Sequence, residues 1–299
     1  MNFRDGAMLL LLAAIWGASF LFIRVAAPIL GPVVLVECRV VLAAAALWAY
    51  ALATQTASSW RMKWKPYLML GALNCAIPFL LVAIAELRLT ASIAAILNAT
   101  IPLFSIGVAA IARLEQLTIR RMISLWIGFA GVIILIGWSP LPLTRDVLIS
   151  AGCSLLASLF YAIGGVYSKW AFKHESPLHL AIGQQVGASL LLLPLAVLNL
   201  PDQRPSVVAI FAVIALAVLS TAIAYLLYFS LIRNVGATNT LTVALLIPIF
   251  GVLWGFLFLD EPLSIGTFAG LALILSSIVW VANLRLRERI YAMLSSGLR

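Results

Sequence analysis

Few side chains inside the long apolar runs of this chain can bind a polar solute. Glu37 and Arg39 are the only charges well inside such a run, and at this spacing on a helix they point in different directions. Arg39 can either hold the carboxylate of a solute or fix its helix to a neighbouring one, and the sequence leaves both roles open. Glu37 lies nearer the end of its run, where we expect it to reach lipid headgroups.

Uncharged polar and aromatic side chains near the middle of the runs complete the candidate binding set. The amides of Asn98 and Gln184 can join two helices or face the amino or carboxylate group of a solute. Aromatic faces and edges suit apolar side chains and ammonium groups, although the same rings can simply pack helices together. The candidate substrate-binding residues are Trp16, Ser19, Arg39, Phe79, Asn98, Tyr161, Gln184 and Tyr225.

The residue types needed for metal binding or covalent catalysis do not occur in suitable patterns. Cys38, Cys75 and Cys153 lie in apolar runs without metal-ligand spacing, which predicts inert thiols and no cofactor or metal. An intramembrane enzyme acting on lipid substrates, the main alternative of another class, needs a constellation such as an HExxH helix, paired deep aspartates or a Ser/His pair. The chain has no such constellation, so we expect it not to be an enzyme.

These candidate residues are positioned by helices that cross a membrane. Hydrophobic residues make up 64% of the chain and charged residues 10%, far from the balance of a soluble domain. The apolar runs have the length of a transmembrane helix, and they do not alternate in polarity as the strands of a barrel would. Ten spans are predicted, at residues 7–26, 33–53, 67–86, 91–111, 122–138, 147–168, 178–198, 207–232, 239–258 and 265–283.

Basic residues are distributed unevenly between the two ends of these spans. Of 19 lysines and arginines, Arg24 and Arg39 lie in spans, and only Arg88, Arg145 and Arg204 fall in the loops opposite the termini. The other fourteen lie on the side of both termini, which the positive-inside rule places in the cytoplasm. The net charge of +9 therefore reflects membrane topology, and we expect lipid contacts and no nucleic-acid partner.

A pattern that occurs twice divides the chain into two halves. Ile101-Pro102-Leu103-Phe104 with Glu115 recurs 146 residues later as Ile247-Pro248-Ile249-Phe250 with Glu261. We therefore predict one five-helix repeat at 1–145 and a second at 146–299, inverted because five is an odd number. A weaker match, 145 residues apart, pairs Trp16 with Tyr161 and Arg39 with Gln184, while Phe79 corresponds to Tyr225 at 146. The paired prolines, Pro102 and Pro248, are predicted hinges that bend two helices around a cavity halfway through the membrane.

The repeat, the ten spans and the Trp-Gly-Ala-Ser-Phe sequence starting at Trp16 together resemble one family. It is the EamA-type branch of the drug/metabolite transporter superfamily, and the resemblance covers essentially the whole chain. It implies an exporter of small metabolites in the bacterial inner membrane, with amino acids, aromatic or other neutral ones, as a common substrate class.

We therefore expect an all-α integral membrane protein that exports amino acids or related small metabolites by alternating access. Export of drug cations, purines or nucleotide sugars is the alternative, although a cation site needs a buried acid near the aromatics and a nucleotide-sugar site needs several basic groups. Because Glu37 is the only carboxylate placed deep in a span, facilitated diffusion is expected rather than proton exchange. The oligomeric state is open, and a monomer is favoured.

Overall fold

The computed structural model describes residues 2–56, 64–114, 118–201, 204–240 and 242–296, with the side chains of 237, 238 and 281–296 excluded. Glu115, one of the two repeated glutamates, lies outside this range. The helices are α1 Phe3–Leu30, α2 Pro32–Ala53, α3 Trp64–Ala85, α4 Ala91–Ile111, α5 Ile119–Gly137, α6 Arg145–Ala171, α7 Pro177–Leu198, α8 Val207–Gly236, α9 Val243–Leu259 and α10 Ile265–Ser296.

The predicted all-helical membrane fold is confirmed over the described residues. Eight of the helices are long and apolar enough to cross a membrane, α9 and the apolar part of α10 are shorter, and none of the described residues forms a strand. Short polar side chains begin five of the ten helices: Thr90, Thr118, Thr144, Ser176 and Ser206 each accept a hydrogen bond from the backbone N–H three residues later. These bonds satisfy N–H groups that an apolar helix cannot satisfy at its first turn.

The main helix contacts correspond when the two halves are exchanged. In the first half α1 packs on α8 and α9, and in the second half α6 packs correspondingly on α3 and α4. The pairs α2–α7, α4–α9 and α5–α10 each join a helix to its own counterpart. This arrangement is expected of two copies of one five-helix fold, the second inserted in the opposite direction.

The connections gather at two ends of the molecule. At the linker end, Arg88 after α3 forms an ion pair of 3.7 Å with Asp146 at the start of α6, and Trp138 lies against Gly266. At the terminal end, Asn234 donates to Asp5, and the His179 ring lies 3.0 Å from the carbonyl oxygen of Thr56.

Two helices contain a π-helical segment at positions that correspond in the repeat. The segments are Ala72–Ala76 in α3 and Val218–Ile223 in α8. A π turn adds one residue to the helix, so side chains after it are rotated relative to those before it. Both segments lie where α3 and α8 meet α7 and α2 respectively, and they set the directions of the polar side chains described next.

Candidate functional site

A buried arginine, Arg39 on α2, lies where α2 meets α3 and α8. Its Nε donates to the Oγ1 of Thr221 at 3.0 Å, and its guanidinium carbon lies 3.7 Å from the centroid of the Phe79 ring. Arg39 is 7% exposed and forms no ion pair with a carboxylate of the described residues. A guanidinium held by one hydrogen bond and an aromatic face leaves donors available for an anionic group.

Gln184 on α7 makes the corresponding contacts in the other half. Its Oε1 accepts from Asn74 Nδ2 at 3.3 Å, and its Nε2 donates to the hydroxyl of Tyr225 at 2.7 Å. Arg39 therefore contacts Phe79 and Thr221 much as Gln184 contacts Tyr225 and Asn74. We refer to this pseudo-symmetric group as the central junction: Arg39, Asn74, Phe79, Gln184, Thr221 and Tyr225.

The π-helical segments supply Asn74 and Thr221, two of the four junction residues that lie on neither α2 nor α7. Thr221 accepts from Arg39 and also donates to the carbonyl of Leu216, five residues back along the π turn, at 2.9 Å. Asn74 lies against Gly164 on α6, where a Cβ would approach its Oδ1 to 2.0 Å. Each π turn therefore directs one polar group toward the opposite half, which is the usual use of such turns at functional sites.

Tyr161 on α6 extends the junction along the Phe79 side. The two ring centroids are 6.2 Å apart at an interplanar angle of 57°. Tyr161 and Tyr225 both lie near Arg39. Five of the eight predicted binding residues are thus brought together: Arg39, Phe79, Tyr161, Gln184 and Tyr225.

The other three predicted binding residues have different surroundings. Trp16 packs on Tyr228 with ring centroids 5.4 Å apart, and the Ser19 hydroxyl donates to the Trp16 carbonyl at 2.6 Å. Ser19 therefore bonds within its own helix, the usual behaviour of hydroxyls in membrane helices. Asn98 ends the first segment of α4, and its buried Oδ1 has no partner among the described residues.

The two predicted hinge prolines have different local structures. Helix α4 is divided into Ala91–Asn98 and Ile101–Ile111, and Pro102 occupies the first turn of the second segment. Its missing N–H costs nothing there, because the helix is already interrupted. Pro248 instead lies inside the helix Val243–Leu259, and its side chain is buried. Their function as hinges stays a prediction.

Four carboxylates of the described residues are buried, those of Asp5, Glu37, Glu86 and Glu261, and the sequence had placed only Glu37 deep in a span. Glu37 is 6% exposed and accepts from Ser189 at 2.7 Å, so it faces α7 rather than the headgroups. Glu261 accepts from the N–H groups of Ala91 and Ser92 at 2.6 and 2.9 Å, which ties α9 to the start of α4. Glu86 is 0% exposed. It lies in the five-residue connection after α3, which is too short to leave the protein, and this shortness is the sequence signal that could have predicted its burial.

Comparisons with known proteins identify a transporter family. The sequence profile of the EamA-like transporter family matches residues 5–137 and again residues 148–283, once in each half. A chain of known crystal structure, 17% identical in sequence, superposes with a TM-score of 0.68 over 96% of this chain and 99% of its own length, and so has the same fold.

Curated relatives agree with this assignment. An uncharacterized transporter of Archaeoglobus fulgidus is 24% identical over 285 residues, which cover 93% of this chain and 98% of that protein. PecM of Dickeya dadantii is 27% identical over 225 residues, 74% of each chain. The match to YoaV, an uncharacterized transporter of Bacillus subtilis, is 24% identical over 177 residues and spans 61% of that protein's length.

Proposed function

The chain belongs to the EamA-like transporter family, and we propose that it exports neutral amino acids and similar small metabolites, aromatic ones among them. It is a multi-pass membrane protein that moves small solutes. The proposal adds the substrate class, the bacterial inner membrane as location, cytoplasmic termini and a monomeric chain in contact with lipid. Alternating access at the central junction is the proposed mechanism.

The single observation behind the substrate class is the unneutralised Arg39. A charge at this depth is costly in free energy, and it is retained where it pairs with another group or binds a solute. Because Arg39 has no carboxylate partner among the described residues, a solute carboxylate would complete its coordination. A planar guanidinium and a carboxylate can form two parallel hydrogen bonds.

The rest of the junction suits the remaining parts of an amino acid. Phe79 and Tyr161 offer aromatic surface to an apolar side chain, and aromatic faces also attract an ammonium group. The Gln184 amide and the Tyr225 hydroxyl offer exchangeable hydrogen bonds to the same solute. A drug cation would meet the positive Arg39 at this site, which disfavours that alternative.

Counterflow in vesicles tests the proposal. Purified protein in liposomes loaded with unlabelled phenylalanine or leucine should take up the labelled amino acid, since only a carrier exchanges solute across a sealed bilayer. Amino-acid amides should compete about tenfold or more weakly than the acids, because they cannot form the charged hydrogen bonds to Arg39.

Arg39→Gln should abolish the discrimination between acid and amide, whereas Arg88→Gln, which removes an exposed arginine, should retain it. Counterflow of quaternary amines or purines with no response to amino acids would contradict the proposal.

A further inference from the structure

Glu86 is buried at the linker end of the protein. It follows the last residue of α3, is 0% exposed, and neither carboxyl oxygen has a hydrogen-bond partner among the described residues. An ionised carboxylate without donors in surroundings closed to water costs far more free energy than the neutral acid. The geometry therefore favours a protonated Glu86 in this arrangement.

Three charged groups face Glu86 from the elements around it. Arg24 on α1 donates to the backbone carbonyl of Glu86, while Arg39 on α2 and Glu261 after α9 act on the carboxyl electrostatically. The Glu261 oxygens are occupied by Ala91 and Ser92, so Glu261 contributes a fixed negative charge that opposes a second one. The Arg24 guanidinium, however, binds the backbone carbonyl of Glu86 and not its carboxyl group.

A small change in this arrangement would favour the ionised form. Glu261 joins α9 to the start of α4, and Glu86 lies in the connection that leads into α4. If α4 and α9 separated at this end, water would reach Glu86 and the negative charge of Glu261 would move away. The Arg24 guanidinium could then transfer from the carbonyl to the carboxylate. Both changes stabilise the anion.

We propose that Glu86 is a proton-binding site that holds one proton while Glu261 ties α9 to α4 and releases it to water when the linker end opens. The O–H bond of the carboxyl group breaks, its electron pair stays on the carboxylate, and water accepts the proton. Glu86 takes its proton from the opposite side of the membrane in the other half of the cycle, so each cycle moves one proton as it moves the solute. The inference rests on the proposed transport function, and it replaces the expectation of facilitated diffusion, which counted Glu37 as the only deep carboxylate.

Glu37 provides a matched control because it is also a buried glutamate. One of its oxygens accepts from Ser189 at 2.7 Å and the other has no partner among the described residues. It lies in α2, away from the contact between Glu261 and the start of α4 that the coupling requires. Replacing Glu37 by glutamine should therefore leave the coupling unchanged.

The test is uphill accumulation in liposomes, with labelled phenylalanine or leucine as the probe. In the wild type, a pH gradient of one polarity should drive accumulation above the external concentration, approaching tenfold per pH unit for one proton per solute, since one pH unit corresponds to about 1.4 kcal/mol. Glu86→Gln should retain counterflow at equal pH and lose accumulation. Glu37→Gln should accumulate like the wild type.

Several outcomes overturn the inference. Wild-type counterflow without pH-driven accumulation would do so while leaving the proposed function intact, and so would accumulation driven by a sodium gradient instead. Loss of accumulation in Glu37→Gln but not in Glu86→Gln would show that Glu37, and not Glu86, carries the proton. If Glu86→Gln does not fold, the wild-type gradient experiment still decides whether transport is coupled to protons, and loss of accumulation in Glu37→Gln would still exclude Glu86. Absence of counterflow for every solute would overturn the proposed function as well.

Discussion

At the scale of single residues, the central junction combines one permanent charge with groups that can exchange partners. Arg39 contacts the Phe79 ring and one hydroxyl, and Gln184 makes two hydrogen bonds. Hydrogen bonds between neutral groups are individually weak on balance, so a solute can replace them at little cost. The guanidinium keeps its charge, so under the proposed function it would select solutes that carry an anionic group.

The hydrogen bond from Arg39 to Thr221 can be removed with little change in shape. Thr221→Val should weaken amino-acid binding about tenfold, because a hydrogen bond to a charged group contributes about 1.5–3 kcal/mol and the guanidinium would lose its orientation. Competition in the counterflow assay measures the change. Thr54→Val, at an exposed position after α2, is the control and should behave like the wild type. Equal affinities for both variants would contradict the orienting function of Thr221.

Residue types alone predicted part of this site. Arg39, Gln184 and the aromatic residues were identified because charge, amide and ring groups are rare or paired in the apolar runs. Thr221 was not, because hydroxyls in membrane helices usually bond to their own backbone, and Thr221 does this as well as binding Arg39. Glu86 was counted as the last residue of a span, since hydropathy does not show how closely a short connection packs on its neighbours.

At the scale of helices, the close contact between α3 and α7 depends on a glycine. A Cβ on Gly187 would lie 2.3 Å from the carbonyl oxygen of Tyr67, which is backbone and cannot rotate away. Small residues at such contacts allow membrane helices to approach closely, and here the approach brings Asn74 within reach of Gln184.

Gly187→Ala should therefore separate α3 from α7 and lower both the thermal stability in detergent and the rate of counterflow. Gly165→Ala on α6 is the matched control, because nothing lies within 4 Å of its Cβ. It should leave stability unchanged or raise it by up to about 1 kcal/mol, since alanine favours a helix more than glycine does. Equal melting temperatures for the two variants would contradict the close contact.

Hydropathy was sufficient to predict the helices, but not their interior irregularities. The observed helices begin and end within a few residues of the predicted spans, apart from α1 and α10, which extend into polar sequence. The π-helical segments at Ala72–Ala76 and Val218–Ile223 were not predicted, because one extra residue in a turn leaves the composition unchanged. Their correspondence in the repeat, and the contacts of Asn74 and Thr221 in the central junction, relate them to the candidate site.

At the scale of the whole molecule, the odd number of helices in each half fixes the positions of the loops. Gln55, after α2, lies at the terminal end, and Leu143, in the linker before α6, lies at the other end, and both are exposed. The excess of basic residues on the terminal side predicts that this end faces the cytoplasm.

Single cysteines test this topology once Cys38, Cys75 and Cys153 are replaced by alanine. In intact cells a membrane-impermeant maleimide should label Leu143→Cys, whereas Gln55→Cys should react only after the membrane is permeabilised. Labelling of both from the same side would contradict the ten-helix topology, and the reverse pattern would contradict the orientation.

The repeat was visible in the sequence because both halves retain the same proline, phenylalanine and glutamate spacing. The pairing of α2 with α7 and of α5 with α10 was not visible, because apolar helix faces in lipid carry little information about their partner. Tertiary contacts of this kind depend on shape, which a single sequence does not report.

The two halves match in shape at the central junction, but their charges differ, since arginine on α2 corresponds to glutamine on α7. A solute bound through its carboxylate would therefore keep that group toward the first half throughout the cycle. Its orientation would not reverse when the site opens first at one end of the protein and then at the other. The two enantiomers of an amino acid would then direct their side chains differently relative to the same aromatic rings. The carrier would in consequence be stereoselective, although its scaffold is nearly symmetric.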